Sequence, residues 1–160
     1  MIEWITVIEQ GVLLGGLYAL FAAGLSLIFG VLRRVNIAHG DLIILAAYLG
    51  LSTTITFGIH PFAAALLVLP VMAVIGYVLQ RGILNQTLGP DILPPLLVTF
   101  GLSVIIQNAL LEGYSADPQK LSAGAIETAS VNLGSLTIGI LPLLTFGIAV
   151  AVIAGLQWMF

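Results

Sequence analysis

The chain has 160 residues, of which 60% are apolar, with four basic and seven acidic side chains and a net charge of −3. Soluble globular domains carry about 25% charged residues, so this chain has too little polar surface to face water and reads as a membrane protein. Four cations are too few for a nucleic-acid footprint. The absence of cysteine excludes disulfides, thiolate metal sites and a cysteine nucleophile. His39 and His60 stand apart from any companion ligand motif, so neither a metal nor a cofactor is expected. No secretory signal is evident: Glu3 and Glu9 precede the first apolar run, and that run is too long for a signal core.

A spanning helix needs about 20 largely apolar residues. Residues 11–32 contain no charge before the terminal Arg33-Arg34 pair and form the first expected span. The second covers 42–59 and follows the polar run Asn36-Ile37-Ala38-His39-Gly40-Asp41. The third covers 62–80, with Pro61 suited to a first helical turn. The fourth, 92–111, opens with Pro94-Pro95, and the fifth covers 136–160. Backbone groups in hydrocarbon must be paired within their own segment, so these runs predict helices. The alternation a β-barrel requires is missing. The expected fold is therefore all-α, a polytopic transmembrane helical bundle of about five spans forming a single domain.

Arg33, Arg34 and Arg81 follow odd-numbered spans and Lys120 follows the fourth. An external N-terminus places three of the four basic residues on the cytoplasmic side, as the positive-inside rule favours. Residues 112–135 are then extracytoplasmic. Within them Tyr114-Ser115-Ala116-Asp117-Pro118 reads as a turn. Thr128 to Ile138 alternates loosely around Asn132-Leu133-Gly134-Ser135, compatible with a short β-hairpin. An ordinary solvated loop is the plainer reading of the same residues.

Three patterns bear on function. Small residues recur at four-residue spacing in the first span (Gly11, Gly15, Ala19, Ala23) and in the fifth (Gly147, Ala151, Gly155), where they predict close helix packing. Thr99, Ser103 and Gln107 share one face of the fourth span and must meet another helix or a wet cavity. On a helix, Asn36, His39 and Gly40 would share a face with Ile43, Ala46, Ala47 and Gly50, while Asp41 could instead cap the second span. Polar groups at membrane depth are expensive and often functional; at the membrane surface the same residues are only a loop and a cap. Asn36, His39, Asp41, Thr99, Ser103 and Gln107 are thus the candidate translocation-path or gating residues. No catalytic constellation and no phosphate-binding loop of the Walker type is present, so the chain reads as non-enzymatic.

Several ordered elements carry a family likeness: Gly16-Leu17-Tyr18-Ala19-Leu20, Gly24-Leu25-Ser26-Leu27-Ile28-Phe29-Gly30, Val35-Asn36-Ile37-Ala38-His39-Gly40-Asp41 and Ala47-Tyr48-Leu49-Gly50. Together they resemble the N-terminal signature of branched-chain amino acid ABC importer permeases. Phe100-Gly101-Leu102-Ser103 with Gln107-Asn108 is similar to a later helix of that family. The resemblance implies a non-catalytic transmembrane subunit in a bacterial-type inner membrane. Its implied partners are a second permease, two cytoplasmic ATPase subunits and an extracytoplasmic solute-binding protein.

Two departures stand out. A basic, alanine-rich coupling segment follows the fifth helix in the family, whereas this sequence stops at Trp158-Met159-Phe160, so a fragment of a longer permease is expected. The stretch 81–91 is also poorer in basic residues than the family usually is. A permease for urea or short amides, a secondary transporter and a purely structural membrane subunit are the alternative readings.

Overall fold

A computed structural model describes residues 2–87, 89, 91, 93–122, 124, 126, 129–133 and 136–159. Among the described residues, five helices are long and apolar enough to cross a membrane. They are α1 (Ile2–Leu32), α2 (His39–Phe57), α3 (Pro61–Gly82), α4 (Leu93–Tyr114) and α5 (Ile140–Met159). A 3₁₀ turn, Leu84–Thr87, follows α3, and the strands β1 (Ser130–Leu133) and β2 (Leu136–Gly139) precede α5.

The helix ends follow local chemistry more closely than the apolar runs do. α1 starts at Ile2 rather than at Gly11, so Glu3 and Glu9 lie within the helix. α2 starts at His39, so Gly40 and Asp41 belong to the helix, and it stops at Gly58, whose φ of 62° is the left-handed conformation glycine adopts freely. Pro61 occupies the first turn of α3, as expected, and the His60 ring accepts from the Phe62 N–H at 3.5 Å. α4 runs on to Tyr114 and closes through a left-handed Ser115 (φ 64°), whose N–H donates to the Leu111 carbonyl at 3.0 Å. α5 begins only at Ile140, because residues 136–139 are committed to β2.

Of the two readings of the 128–138 stretch, the plainer loop gives way and the hairpin is present, with strands at 130–133 and 136–139. β1 and β2 pair antiparallel, with Ser130 opposite Gly139 and Leu133 opposite Leu136. The Ile140 N–H then donates to the Ala129 carbonyl at 3.0 Å, joining the strand pair to the start of α5. Thr128, Gly134 and Ser135, which the sequence reading also used, lie outside the described residues.

The chain divides into two units, residues 1–30 with 123–160 and residues 31–122. In the first, α1 approaches α5 at Gly16. A Cβ built there would stand 2.5 Å from Cδ2 of Phe146, so only a hydrogen fits without moving the ring. The expected small-residue stripes do not make this approach: a Cβ at Gly11, Gly15, Gly147 or Gly155 would meet nothing within 4 Å, and Ala19 and Ala151 are exposed. The buried small residue of α5 is instead Ala149. In the second unit α2 packs against both α3 and α4, with Leu51, Ala64, Val68 and Ile106 buried among them.

Burial is inverted relative to a protein that folds in water. Among the described residues Thr99, at 2% exposure, is the largest fully buried side chain, whereas Leu66 and Ile55 are each 70% exposed. In water that distribution would leave apolar surface unburied and desolvate hydroxyls. In lipid, apolar side chains have no reason to hide, and polar ones must find partners inside the protein.

Candidate functional site: a polar seam between α2 and α4

The seam begins with the non-helical residues 35–38. The Asn36 side chain accepts from the Ala38 N–H at 3.0 Å, and the Asn36 carbonyl accepts from the His39 N–H at 3.3 Å. Asn36 therefore shapes the turn ahead of α2 and does not share a helical face with His39. Below it, Arg34 donates to the carbonyls of Thr87 (3.4 Å) and Gly89 (3.1 Å), tying the segment before α2 to the segment before α4.

Asp41 stands in the first turn of α2 and is 9% exposed. It does not cap its own helix: the N-cap residue is Ala38, and no side-chain cap bond is made. Its carboxylate reaches across to α4. Ser103 Oγ donates to Oδ2 at 2.5 Å and Gln107 Nε2 donates to Oδ1 at 2.9 Å. Gln107 Nε2 also lies 3.2 Å from Ser103 Oγ, which closes the triangle. A buried carboxylate without such donors would be very costly, and bonds to a charged acceptor are stronger than those between neutral groups.

Thr99 continues the same face one turn earlier and is buried, but its hydroxyl donates to its own helix, at 2.9 Å to the Pro95 carbonyl and 3.1 Å to that of Leu96. It smooths the start of α4 rather than joining the triangle. His39, half-buried, opens α2. Of the six candidates, the fold brings together Asp41, Ser103 and Gln107.

Sequence reading missed the far end of the seam. The Tyr114 hydroxyl donates to Ser52 Oγ at 3.1 Å and lies 3.4 Å from the Tyr48 carbonyl, and the Tyr48 and Tyr114 ring centroids are 4.5 Å apart. A crevice of about 280 Å³ opens beside them, lined by polar Ser52, Thr56, Tyr114, Ser115 and Gln119. The missed signal was helical spacing. Tyr48 and Ser52 follow Asp41 by seven and eleven positions, and Tyr114 follows Gln107 and Ser103 by seven and eleven, so both sets fall on single helical faces.

Five membrane-length helices whose buried polar groups pair with one another across α2 and α4 define a multi-pass membrane protein. Its curated relatives carry transport names. The chain is 24% identical over 161 residues to the high-affinity branched-chain amino acid transport system permease protein BraD of Pseudomonas aeruginosa, an alignment covering 92% of this chain and 52% of that protein. It is 26% identical over 117 residues to the corresponding permease protein LivH of Salmonella typhimurium and to that of Salmonella typhi, covering 65% of this chain and 37% of each. The chain thus spans about half, or less, of the length of these relatives. No protein-family model matches the chain, and no solved structure matches it.

Proposed function

We propose that the chain is part of a permease subunit of an ATP-binding-cassette importer that carries branched-chain or related amino acids across a bacterial inner membrane. The observation that carries this reading is the Asp41–Ser103–Gln107 triangle, set in a chain similar along most of its length to branched-chain amino acid transport permeases. A membrane protein with only a packing role has little use for a carboxylate between its helices, and ionisable groups there mark solute pathways. In this reading the α2–α4 seam borders the path, Ser103 and Gln107 hold Asp41 in position, and the Ser52–Tyr114 crevice faces the side from which solute arrives.

The partners in this reading are a second permease, two cytoplasmic ATPase subunits and an external solute-binding protein. The chain itself performs no chemistry. An external N-terminus is supported by the Arg34 contacts, which bring Arg34 to the same end of the second unit as the segment following Arg81. Three of the four basic residues then share one side, as the positive-inside rule favours.

The test is reconstitution of the full reading frame with its ATPase and binding-protein partners in liposomes. Uptake of labelled leucine, isoleucine or valine that requires internal ATP supports the reading. Uptake of urea or short amides alone redirects it to that substrate class, and uptake indifferent to ATP but driven by an ion gradient replaces it with a secondary transporter.

A further inference from the structure

The cross-helix bonds of the seam fix a register as well as a contact. Ser103 and Gln107 reach Asp41, and Tyr114 reaches Tyr48 and Ser52, all at sequence separations of 62 to 66. A constant separation along two helices means that α2 and α4 run parallel and level, residue for residue. Asp41 is therefore level with the stretch from Ser103 to Gln107. At a rise of about 1.5 Å per residue, Ser103 stands about 15 Å above Leu93 and about 16 Å below Tyr114, the two ends of α4. The hydrocarbon core of a bilayer is about 30 Å thick. If α4 spans it, Asp41 is at mid-depth.

The segment below Asp41 agrees with this placement. Arg34 is bound at the level of Thr87 and Gly89, which precede the first residue of α4. Residues 35–38 are not helical and carry the chain from that level into α2, turning at Asn36 and Ala38. Where α4 spans the core, α2 opens inside the membrane, and the same register carries its last turn past the level of Tyr114. Irregular backbone at such depth is tolerated only against protein or a wet cavity, and here Ala38, at 0% exposure, is enclosed. The partial positive charge at the start of α2 offsets part of the cost of a carboxylate there.

The surroundings of Asp41 suggest its purpose. Its donors from α4, a hydroxyl and an amide, are both neutral, so they orient the carboxylate without cancelling its charge. The Arg34 guanidinium, at the level of Thr87 and Gly89, is committed to two backbone carbonyls. An ionised carboxylate offers about four acceptor positions, of which the two α4 donors take two, and Gln107, at the edge of the triangle, is exposed.

We propose that Asp41, held near the mid-plane by Ser103 and Gln107, is the counter-charge for the ammonium group of the amino acid in transit. The inference rests on the permease reading above and assigns a role within it. A zwitterion crossing the middle of the membrane must give up water around its ammonium, and a positioned carboxylate replaces that water. The aliphatic side chain of the cargo needs only apolar wall. Asp41 is in these terms a substrate-positioning residue that selects for a primary ammonium.

Two measurements test this, both on the full permease in liposomes. A nitroxide on Val104→Cys, an exposed neighbour of Ser103 at 41% exposure, reports depth through its relative accessibility to oxygen and to a water-soluble nickel complex. A mid-depth value is expected, and a headgroup-level value overturns the placement of Asp41. Leucine uptake is then compared among wild type, Asp41→Asn and Asp41→Glu. Loss of the charge in Asp41→Asn should lower maximal uptake at least tenfold, with thermal stability kept within a few degrees and ATPase stimulation by loaded binding protein retained. Asp41→Glu should recover part of the rate. Unchanged uptake in Asp41→Asn overturns the ammonium role, as does a loss that merely follows a fall in stability in both variants. A wild type that imports no amino acid sinks the permease reading and the ammonium role with it, while the nitroxide depth still decides where Asp41 stands.

Discussion

Ser103 in the middle of α4 donates a hydrogen bond to Asp41 in the first turn of α2, at 2.5 Å and across 62 residues of sequence. With the Gln107 bond beside it, this contact holds two parallel helices in register.

Removing the Ser103 hydroxyl should therefore cost more than an average interhelical bond. Ser103→Ala takes one donor from a carboxylate that is 9% exposed and should lower unfolding free energy in detergent by about 1–3 kcal/mol, against a membrane-protein average of about 0.6 kcal/mol. Ser103→Leu should do worse, since it removes the donor and adds bulk at a buried position. Leu102→Ile, one residue away and half-buried, should be nearly silent. Equal losses at 102 and 103 would show a helix sensitive only to packing.

Tyr114→Phe separates the hydroxyl from the ring. The Phe ring can keep the contact with Tyr48, at 4.5 Å between centroids, while the bond to Ser52 is lost. The expected destabilisation is about 0.6 kcal/mol. A loss several times larger would mean that the hydroxyl orders the crevice beyond this one bond.

Gly16 should be the intolerant glycine of α1. Gly16→Ala drives a Cβ into the Phe146 ring and should destabilise by about 1–3 kcal/mol. Gly15→Ala has open space and should be neutral or mildly stabilising through helix propensity. Phe146→Leu combined with Gly16→Ala should restore most of the loss; a double variant no better than Gly16→Ala would place the clash elsewhere.

Topology is open to single-cysteine labelling, since no native cysteine competes. Cysteines at Gln119 and Asp91, both exposed, should react from the outer and cytoplasmic sides respectively with an impermeant maleimide. The reverse pattern would invert the orientation and move the Ser52–Tyr114 crevice to the cytoplasmic face.

The five spans were legible because lipid imposes a length and a composition that few other structures share. Their ends were less so: the first helix runs back to Ile2 through Glu9 and Glu3, which an uncharged-run criterion discards. The Thr99–Ser103–Gln107 face was visible from spacing alone, but its partner was not. Asp41 read equally well as a cap, because capping needs three residues whereas pairing with Ser103 needs the folded chain. Asn36 looked helical with His39 because the sequence does not mark where α2 begins; the turn that Asn36 makes with Ala38 decides it. The small-residue stripe gave a face suited to packing but not a neighbour, and the close approach fell at Gly16, next to the stripe and off it.

Parallel pairing of α2 with α4 also has a consequence in time. Two neighbouring helices that run the same way cannot meet until the helix between them has crossed back, so α3 must be in place first. At about 5–20 residues per second, the ribosome needs roughly 3–12 s to pass from Asp41 to Ser103, the 62-residue separation of the pair. Throughout that interval the carboxylate has neither of its α4 donors, and hydrocarbon would be its worst waiting place. During synthesis, then, the start of α2 should wait in the insertion machinery or at the lipid headgroups and sink to its final depth only when α4 arrives.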